Sequence, residues 1–424
     1  MTHEHSSDVD TDVVIIGAGP AGAAAASQLT GLGHDVRVLE RSHFPRFSIG
    51  ESLLPQCMSY LETAGLLETV QAANYQFKNG AAFTCGTKTT AIDFREKFTP
   101  GWGTTYQIER ADFDHRLIQA AADRGAKVDF GVTVTDVCPD ATRPRVSYVD
   151  EDGKTTTLTA RFLLDASGYG RVLARKLDLE RDPRLEPRMA VFTHVEDHID
   201  DPDYDREKIL IGVHPEDASI WYWLIPFANG HASVGVVGAI ETLEQYGDSA
   251  EARWHALIDA EPRYRQLLRN ARPLRPFGEL KGYSADVSNL HGPGYALLGN
   301  AGEFLDPVFS SGVTIALHSA IMAAPLVNRH LHGESVDWQT EFEAPLRHGI
   351  ATFRAFVDAW YDGRLQSIVF SESQPDGLKR MISAVLAGYA WDQDNPFVSN
   401  ANRRLSTLAQ LCGYLPRQTQ SSPA

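Results

Sequence analysis

Gly17, Gly19 and Gly22 form a G-x-G-x-x-G run directly behind four apolar residues, Val13-Val14-Ile15-Ile16. A pyrophosphate needs residues of this kind in this order. Gly17 permits a tight turn, Gly19 lets the backbone approach the anion, and Gly22 lets a helix lie close to the strand. Pro20 and Ala21 begin that helix, so its unpaired N–H groups and partial positive charge face the phosphates. Glu40 closes the next apolar run, Asp35 to Glu40, where a carboxylate can accept from ribose hydroxyls. The chemistry read from these residues is the holding of a dinucleotide. Arg41 and Arg46, in the following loop, add cations for a phosphate or the edge of a planar ring. Asp165-Ala166-Ser167-Gly168 ends a later strand and offers a second approach of backbone to the same ligand. The Ser310-Ser311-Gly312 turn before an apolar helix offers N–H donors to an anion or a carbonyl edge. Lys78 lies on a strand between Phe77 and small residues, and by pattern alone it is a solvated edge charge.

The elements that must position these groups follow from periodicity. Residues 13–16, 35–40 and 295–298 read as buried strands, each running into a turn. Residues 55–73 have helical spacing, with Gly65 as an interruption or a stop, and 110–124 form a helix ended by Gly125. Residues 77–83 and 91–94 read as a hairpin, and 127–137 and 155–164 as two strands joined by a glycine-containing turn. From Arg188 to Val237 the pattern becomes several β-prone runs, 189–195, 209–213, 219–225 and 232–237, which suggest an antiparallel sheet. Residues 242–268 return to helical spacing, an apolar helix runs to Leu331, and the chain from Trp338 onward is helical, with Phe353, Phe356, Trp360 and Tyr361 as core. The tail after Arg417 is polar and reads as disordered.

With 424 residues, 43% hydrophobic and 22% charged, the chain is a globular protein of two or three domains. A net charge of −16 with no Lys/Arg run excludes nucleic acid as a partner. Cys57, Cys85, Cys138 and Cys412 are far apart, so neither a metal site nor a disulfide framework is suggested. The N-terminal residues are polar with no apolar core of a signal sequence, and the reading is a cytoplasmic protein without an integral membrane segment. One nucleotide clamp is present and no second one for a nicotinamide, so the residues by themselves lead to an FAD-type α/β protein.

The first clamp, F-P-R-F-S-I-G-E-S (44 to 52), D-A-S-G (165 to 168) and G-N-A-G-E-F-L-D-P (299 to 307) together resemble the single-component FAD fold of aromatic hydroxylases, geranylgeranyl reductases and flavin-dependent halogenases. Three features resemble the halogenases in particular. Trp221-Tyr222-Trp223-Leu224-Ile225-Pro226 matches their W-x-W-x-I-P signature, Phe304, Pro307, Ser310 and Gly312 match F-x-x-P-x-x-S-x-G, and Lys78 sits where the family keeps its catalytic lysine. The resemblance implies a Rossmann-type FAD-binding domain of the p-hydroxybenzoate hydroxylase kind (10–75, 104–180 and 280–335), an inserted antiparallel β-sheet domain (76–103 and 181–279) and a C-terminal helical region (336–424). It adds Ser48, Gly50, Ser52, Arg110, Gly299, Asn300, Pro307, Gly312 and Val313 to the cofactor residues. It implies halide bound at the N–H groups of Ser311 and Gly312, with no metal.

The activity implied is FAD-dependent halogenation. Reduced FAD from a separate flavin reductase, dioxygen and chloride or bromide give hypohalous acid, which Lys78 directs onto an electron-rich phenolic or pyrrolic ring, free or tethered to an acyl or peptidyl carrier protein. A lysine suits this because its ammonium donates to the leaving hydroxyl, while the neutral amine, favoured by burial, accepts the halogen. Trp221 and Trp223, two apart on one strand, face one side and would keep organic substrate from the flavin. Phe309 stands where tryptophan halogenases carry a glutamate, which sets this chain with the halogenases of phenolic, pyrrolic or carrier-tethered substrates. Gly299-Asn300 replaces the usual G-D, and Glu303 nearby reads as a solvated loop glutamate. The alternatives are a hydroxylase or reductase of the same fold that uses no halide, and a catalytically silent flavin-binding partner of an assembly line.

Overall fold

The first four apolar residues become a strand, Val13–Ile16, buried at every position. In the computed structural model, which describes residues 9–372 and 376–415, that strand lies in the middle of a six-stranded sheet. The order is His291–Gly292, Tyr295–Leu297, Phe162–Asp165, Val13–Ile16, Val36–Glu40 and Lys127–Phe130. All neighbours pair parallel except His291–Gly292 with Tyr295–Leu297. Parallel strands covered on both faces carry near-continuous apolar runs, which is the pattern that marked them in the sequence. The helices Pro20–Gly31 and Ser311–Leu331 pack together on this sheet, and their small residues, Ala23 to Ala26 on one and Ala320, Ala323 and Ala324 on the other, are buried. By length and composition Ser311–Leu331 could also cross a membrane. Here its apolar residues are part of the core.

A second sheet of eight strands carries the β-prone runs. Arg188–Glu196, His231–Ala239, Trp221–Pro226 and Lys208–Val213 are successive antiparallel neighbours, after which Gly80–Cys85 joins Lys208–Val213 in parallel. Side chains alternate across a strand, so Trp221, Trp223 and Ile225 face one side with Ile209, Ile211 and Phe83. Tyr222 and Leu224 face the other side, under the helix Ala250–Ala260. The helices Ala344–Tyr361, Arg364–Val369 and Asp376–Leu386 cover the tryptophan face.

The interruption read at Gly65 is present: at φ +68° this glycine separates the helices Gln56–Thr63 and Leu67–Gln71. Other elements divide where the sequence reading ran them together. Gly131, at φ +71°, ends Lys127–Phe130, and the chain then leaves for a separate three-stranded sheet of Thr133–Cys138, Arg145–Val149 and Thr155–Thr159. Arg145–Val149 was hidden in what read as a turn. The strand read at 77–83 is also two: Gln76–Lys78 pairs with Thr105–Gln107, and Gly80–Cys85 forms the expected hairpin with Lys88–Asp93. Residues 242–268 hold Ala250–Ala260 and Pro262–Leu267, separated at Glu261, whose carboxylate caps the second helix. The polar tail after Arg417 lies outside the described residues.

Gly235, opposite Trp223 in the pairing, leaves space for the indole: a Cβ there would lie 2.2 Å from the ring. Gly235→Ala is expected to destabilise the fold by about 1–3 kcal/mol through overpacking. Urea unfolding checks this as a lowered midpoint at unchanged slope.

Candidate functional site

At the C-terminal ends of the parallel strands a cavity of about 440 Å³ runs from the glycine turn to the tryptophan face of the second sheet. A doubly wound sheet places its ligand here because the free N–H groups of its helices converge at that edge. Gly17, at φ +100°, turns the chain so tightly that a Cβ would lie 2.5 Å from the Ala166 carbonyl oxygen. At Gly22 a Cβ would lie 1.9 Å from the Gly17 carbonyl oxygen. Both glycines act behind the cavity wall, where strand, helix and the 165–168 loop meet. Gly19 is different. A Cβ there would meet only Arg46 Nη2, at 3.7 Å, and Gly19 lines the cavity with Pro20 and Ala21. The helix they open has no side-chain cap. Its first N–H groups are therefore open to an anion.

Glu40 lines the cavity too, with its carboxylate accepting from Ala18 N and Ser42 N, both at 2.9 Å. A carboxylate has about four acceptor positions, so capacity for ribose hydroxyls remains. Arg41, Arg46, Ser48, Gly50, Ser52 and Arg110 line the wall beyond it. Arg110 forms a two-point ion pair with Asp114, and Arg46 reaches the same carboxylate at 3.1 Å. Asp114 thus fixes both arginines; its spacing of four from Arg110 on a helix was the signal available in the sequence. Ala166, Ser167, Gly168, Asn300, Pro307, Gly312 and Val313 also line it. Asn300 Oδ1 is buried without a protein partner. An acceptor left open there fits a ligand rich in hydroxyl donors, and with the bare backbone at Gly19 it makes the cavity fit FAD.

Some predicted residues act one layer back. Asp165 accepts from Ser167 N and Leu173 N, and so folds the loop without lining the cavity. Gly299, at φ +53°, abuts Ala316 of the long helix, and Ser311 is buried beside the cavity rather than on it. Ser310 is left-handed at φ +55° and caps nothing with its side chain, so the first N–H groups of Ser311–Leu331 are uncapped. Glu303 is not the solvated loop carboxylate read from the sequence. It is buried and pairs with Arg354 and Arg347 from the helix Ala344–Tyr361.

On the sheet side Trp221 and Trp223 line the cavity with ring centroids 5.8 Å apart. Trp223 Nε1 donates to Ser233 Oγ at 3.1 Å, and Trp221 Nε1 donates to Tyr361 OH at 2.8 Å. Tyr361 and Tyr283 both donate to Asp306 Oδ2, at 2.9 and 3.2 Å. Burial raises the Asp306 carboxyl above its ordinary value. Sequence reasoning gave Tyr361 only a core role, named Asp306 only within a motif and did not single out Tyr283, because their partners are far apart in the chain. It also passed over Glu51, which lines the cavity, and His194, 2.7 Å from its carboxylate.

Lys78 overturns its pattern reading. It is 1% exposed, with Nζ donating to Ser52 Oγ at 2.7 Å and to the Leu53 carbonyl at 2.8 Å. The Phe94 ring lies 5.5 Å away. Both hydrogen-bond partners are neutral, and burial brings its pKa down from 10.5 to about 7. Lys78 does not line the cavity. Ser52 does, and stands between. The tryptophan face beyond the cavity is filled by side chains, with Trp360 packed against Phe83 and edge-on to Phe309.

Comparison with known proteins agrees with this geometry. The FAD binding domain family matches residues 10–263, more than half of the chain. A flavin-dependent halogenase of Armillaria mellea, armH3, is 30% identical over 82% of this chain and 72% of its own length. The chain belongs to the flavin-dependent halogenase family. It is an FAD-dependent enzyme of the oxidoreductase type. A 1H-pyrrole-2-carbonyl-[peptidyl-carrier protein] chlorinase from Pseudomonas fluorescens is 29% identical over 84% of each chain. Among solved structures, a flavoprotein/dehydrogenase from Cytophaga hutchinsonii superposes with a TM-score of 0.91 at 41% identity, covering 95% of this chain and 99% of that one.

In this halogenase-family chain the glycine at 19 tests the cofactor site. Gly19 has an ordinary φ of −69°. Gly19→Ala should change the stability of the cofactor-free protein by no more than about 0.5 kcal/mol. Its new methyl group enters the cavity, and flavin fluorescence titration should register binding at least about tenfold weaker, the equivalent of ~1.4 kcal/mol. Lys78 has a stability signature. Between pH 7 and 10.5 the unfolded chain holds a proton at this lysine that the folded chain has lost, so burial of Lys78 is destabilising, fully below about pH 7 and progressively less toward 10.5. Lys78→Met should therefore raise stability by on the order of 3 kcal/mol at pH 7. Denaturation at pH 7 and pH 10 should find that gain largely gone at the higher pH.

Proposed function

We propose that the protein halogenates an electron-rich phenolic or pyrrolic ring, using FAD reduced by a separate flavin reductase, dioxygen, and chloride or bromide. The observation that carries this reading is the amine of Lys78, buried behind the cavity wall with neutral partners only and a pKa near 7. A lysine that served only to decorate a strand edge would keep its charge in water. When bound and reduced, FAD would supply with dioxygen the oxidising power that converts halide to hypohalous acid. The residues of the chain do the rest. Uncapped N–H groups at Ser311 and Gly312 hold the halide beside the cavity. Trp221 and Trp223 close the sheet side of the cavity and keep the organic substrate from it. At neutral pH Lys78 is partly ammonium and partly amine. The ammonium donates a hydrogen bond to the oxygen of hypohalous acid; the amine exchanges an N–H for N–halogen and releases water. Transfer of the halogen to a ring carbon, with the ring proton leaving, restores the amine. Phe309 stands where a carboxylate would otherwise serve, packed against Trp360. The chlorinase from Pseudomonas fluorescens acts on a pyrrole held by a peptidyl carrier protein, and this supports a carrier-tethered ring as one substrate form.

A second reading has its own observation. The cavity stops at Ser52 and does not reach Lys78, and Phe83, Phe309 and Trp360 fill the space on the tryptophan face. A flavin monooxygenase or reductase acting inside the cavity without halide needs no access to that lysine.

Mass spectrometry of reactions containing FAD, a flavin reductase, NADH, dioxygen, bromide or chloride, and a panel of phenols, pyrroles and carrier-bound pyrroles separates the two. Halogen isotope patterns are expected, reduced at least about a hundredfold by Lys78→Ala, an effect of ~2.7 kcal/mol on the barrier. Hydroxylated or unsaturated products formed equally without halide would replace this reading with the second.

A further inference from the structure

The environment of Lys78 poses a question that its role alone does not answer. An amine that alternates between ammonium and amine must exchange a proton, yet Lys78 is buried and lines no part of the cavity. Its neighbours differ in what they can pass on. The Leu53 carbonyl accepts a hydrogen bond and carries no proton of its own. Phe94 offers only a ring face. Cys57 is fully buried, has its thiol pushed up by burial, and lies 3.2 Å from Thr314 Oγ1. Ser52 is the exception. Its hydroxyl accepts from Nζ at 2.7 Å, can donate its own hydrogen at the same time, and belongs to a residue of the cavity wall.

The segment that carries Ser52 is held from both sides. Ser52 bridges to Gln107, Leu53 N donates to Tyr106 O, and Ile108 N donates to Glu51 O. Tyr106 and Gln107 lie on the strand that pairs with Gln76–Lys78, so amine and hydroxyl hang from the two segments that flank this one strand. Their separation is fixed by backbone pairing rather than by two mobile side chains.

We propose that Ser52 is the positioning residue of Lys78 and the proton link between its amine and the cavity. Resting on the reading of Lys78 as the halogen-directing group, it assigns a further residue to that site. In one direction the ammonium gives a proton to Ser52 Oγ as the Ser52 hydroxyl proton passes to an acceptor in the cavity, leaving neutral amine and an unchanged serine. The reverse sequence recharges the lysine. Glu51, next in the chain, lines the same cavity and contacts the partly exposed His194 at 2.7 Å.

The test reads Lys78 directly, in the full chain with FAD bound and with no halide, substrate or turnover. Lysine labelled with carbon-13 at Cε and nitrogen-15 at Nζ, assigned through the signal missing in Lys78→Met, gives both the titration and the hydrogen-exchange rate of this amine by NMR. Ser52 Oγ stabilises the charged form, so Ser52→Ala should weaken proton binding at Lys78 about tenfold. It should also slow hydrogen exchange at Nζ at least about tenfold, while Ser52→Thr, which keeps a hydroxyl, restores both. Titration and exchange indistinguishable between wild type and Ser52→Ala would overturn the proposal, and so would equal effects of Ala and Thr, since those report packing alone. These signals are independent of halogenation. If they move as expected while Lys78→Ala still halogenates, the proton link stands and the catalytic reading of Lys78 falls; if Lys78→Ala abolishes halogenation while they stay still, the reverse holds.

Discussion

The structure depends on one close approach of backbone to backbone. At Gly17 and Gly22 the first strand, the first helix and the loop after Phe162–Asp165 come together with no room for a Cβ. That contact seats a helix N-terminus against the sheet edge and brings the 165–168 loop to the same point. Asp165 then ties the loop to its own strand through two backbone N–H groups. Everything the cavity offers a pyrophosphate, bare backbone at Gly19 and unpaired N–H groups behind it, follows from this packing.

The second constraint is desolvation. Lys78 sits where burial favours its neutral form, and neither hydrogen-bond partner carries a charge to oppose that. Two other buried charged groups are treated in the opposite way. Arg110 is held in a two-point pair with Asp114, and Glu303 is matched by Arg354 and Arg347. Those ion pairs fix elements against one another. The difference separates a group kept near its titration point from groups that brace the fold, and such perturbed groups concentrate where chemistry is done.

The C-terminal helices are tied into the site rather than added to it. Tyr361, from the end of Ala344–Tyr361, receives the Trp221 indole N–H and donates to Asp306, and the Arg188 guanidinium lies 3.4 Å over its ring. Asp306 also caps the short turn Pro307–Phe309 by accepting from Val308 N. One buried carboxylate therefore couples the helix, the tryptophan strand and the turn that leads to Ser311 and Gly312. Trp360, the next residue toward the N-terminus, packs against Phe309 and Phe83. The same helix end thus sets both the polar network and the apolar filling of the tryptophan face.

What the sequence determined by itself was local. The glycine turn was legible because strand, turn and helix lie within ten residues and carry the glycine spacing of a pyrophosphate clamp, although the Ala166 carbonyl that excludes a Cβ at Gly17 comes from a distant part of the chain. Trp221 and Trp223 could be assigned to one face because side chains alternate along any strand. The families of strands, parallel and antiparallel, were readable from their different apolar patterns, and so was the break at Gly65, though Gly131 broke an element that spacing alone ran on. Tertiary structure decided the rest. Lys78 has the sequence context of an exposed strand residue, and becomes a buried amine only because residues 52, 53 and 94 close around it. Glu303 has the context of a solvated loop, and is buried because arginines from a helix more than 40 residues later reach it. Charge state in a protein is set by what surrounds a group in space, and those surroundings are assembled from distant parts of the chain, where periodicity carries no information about them.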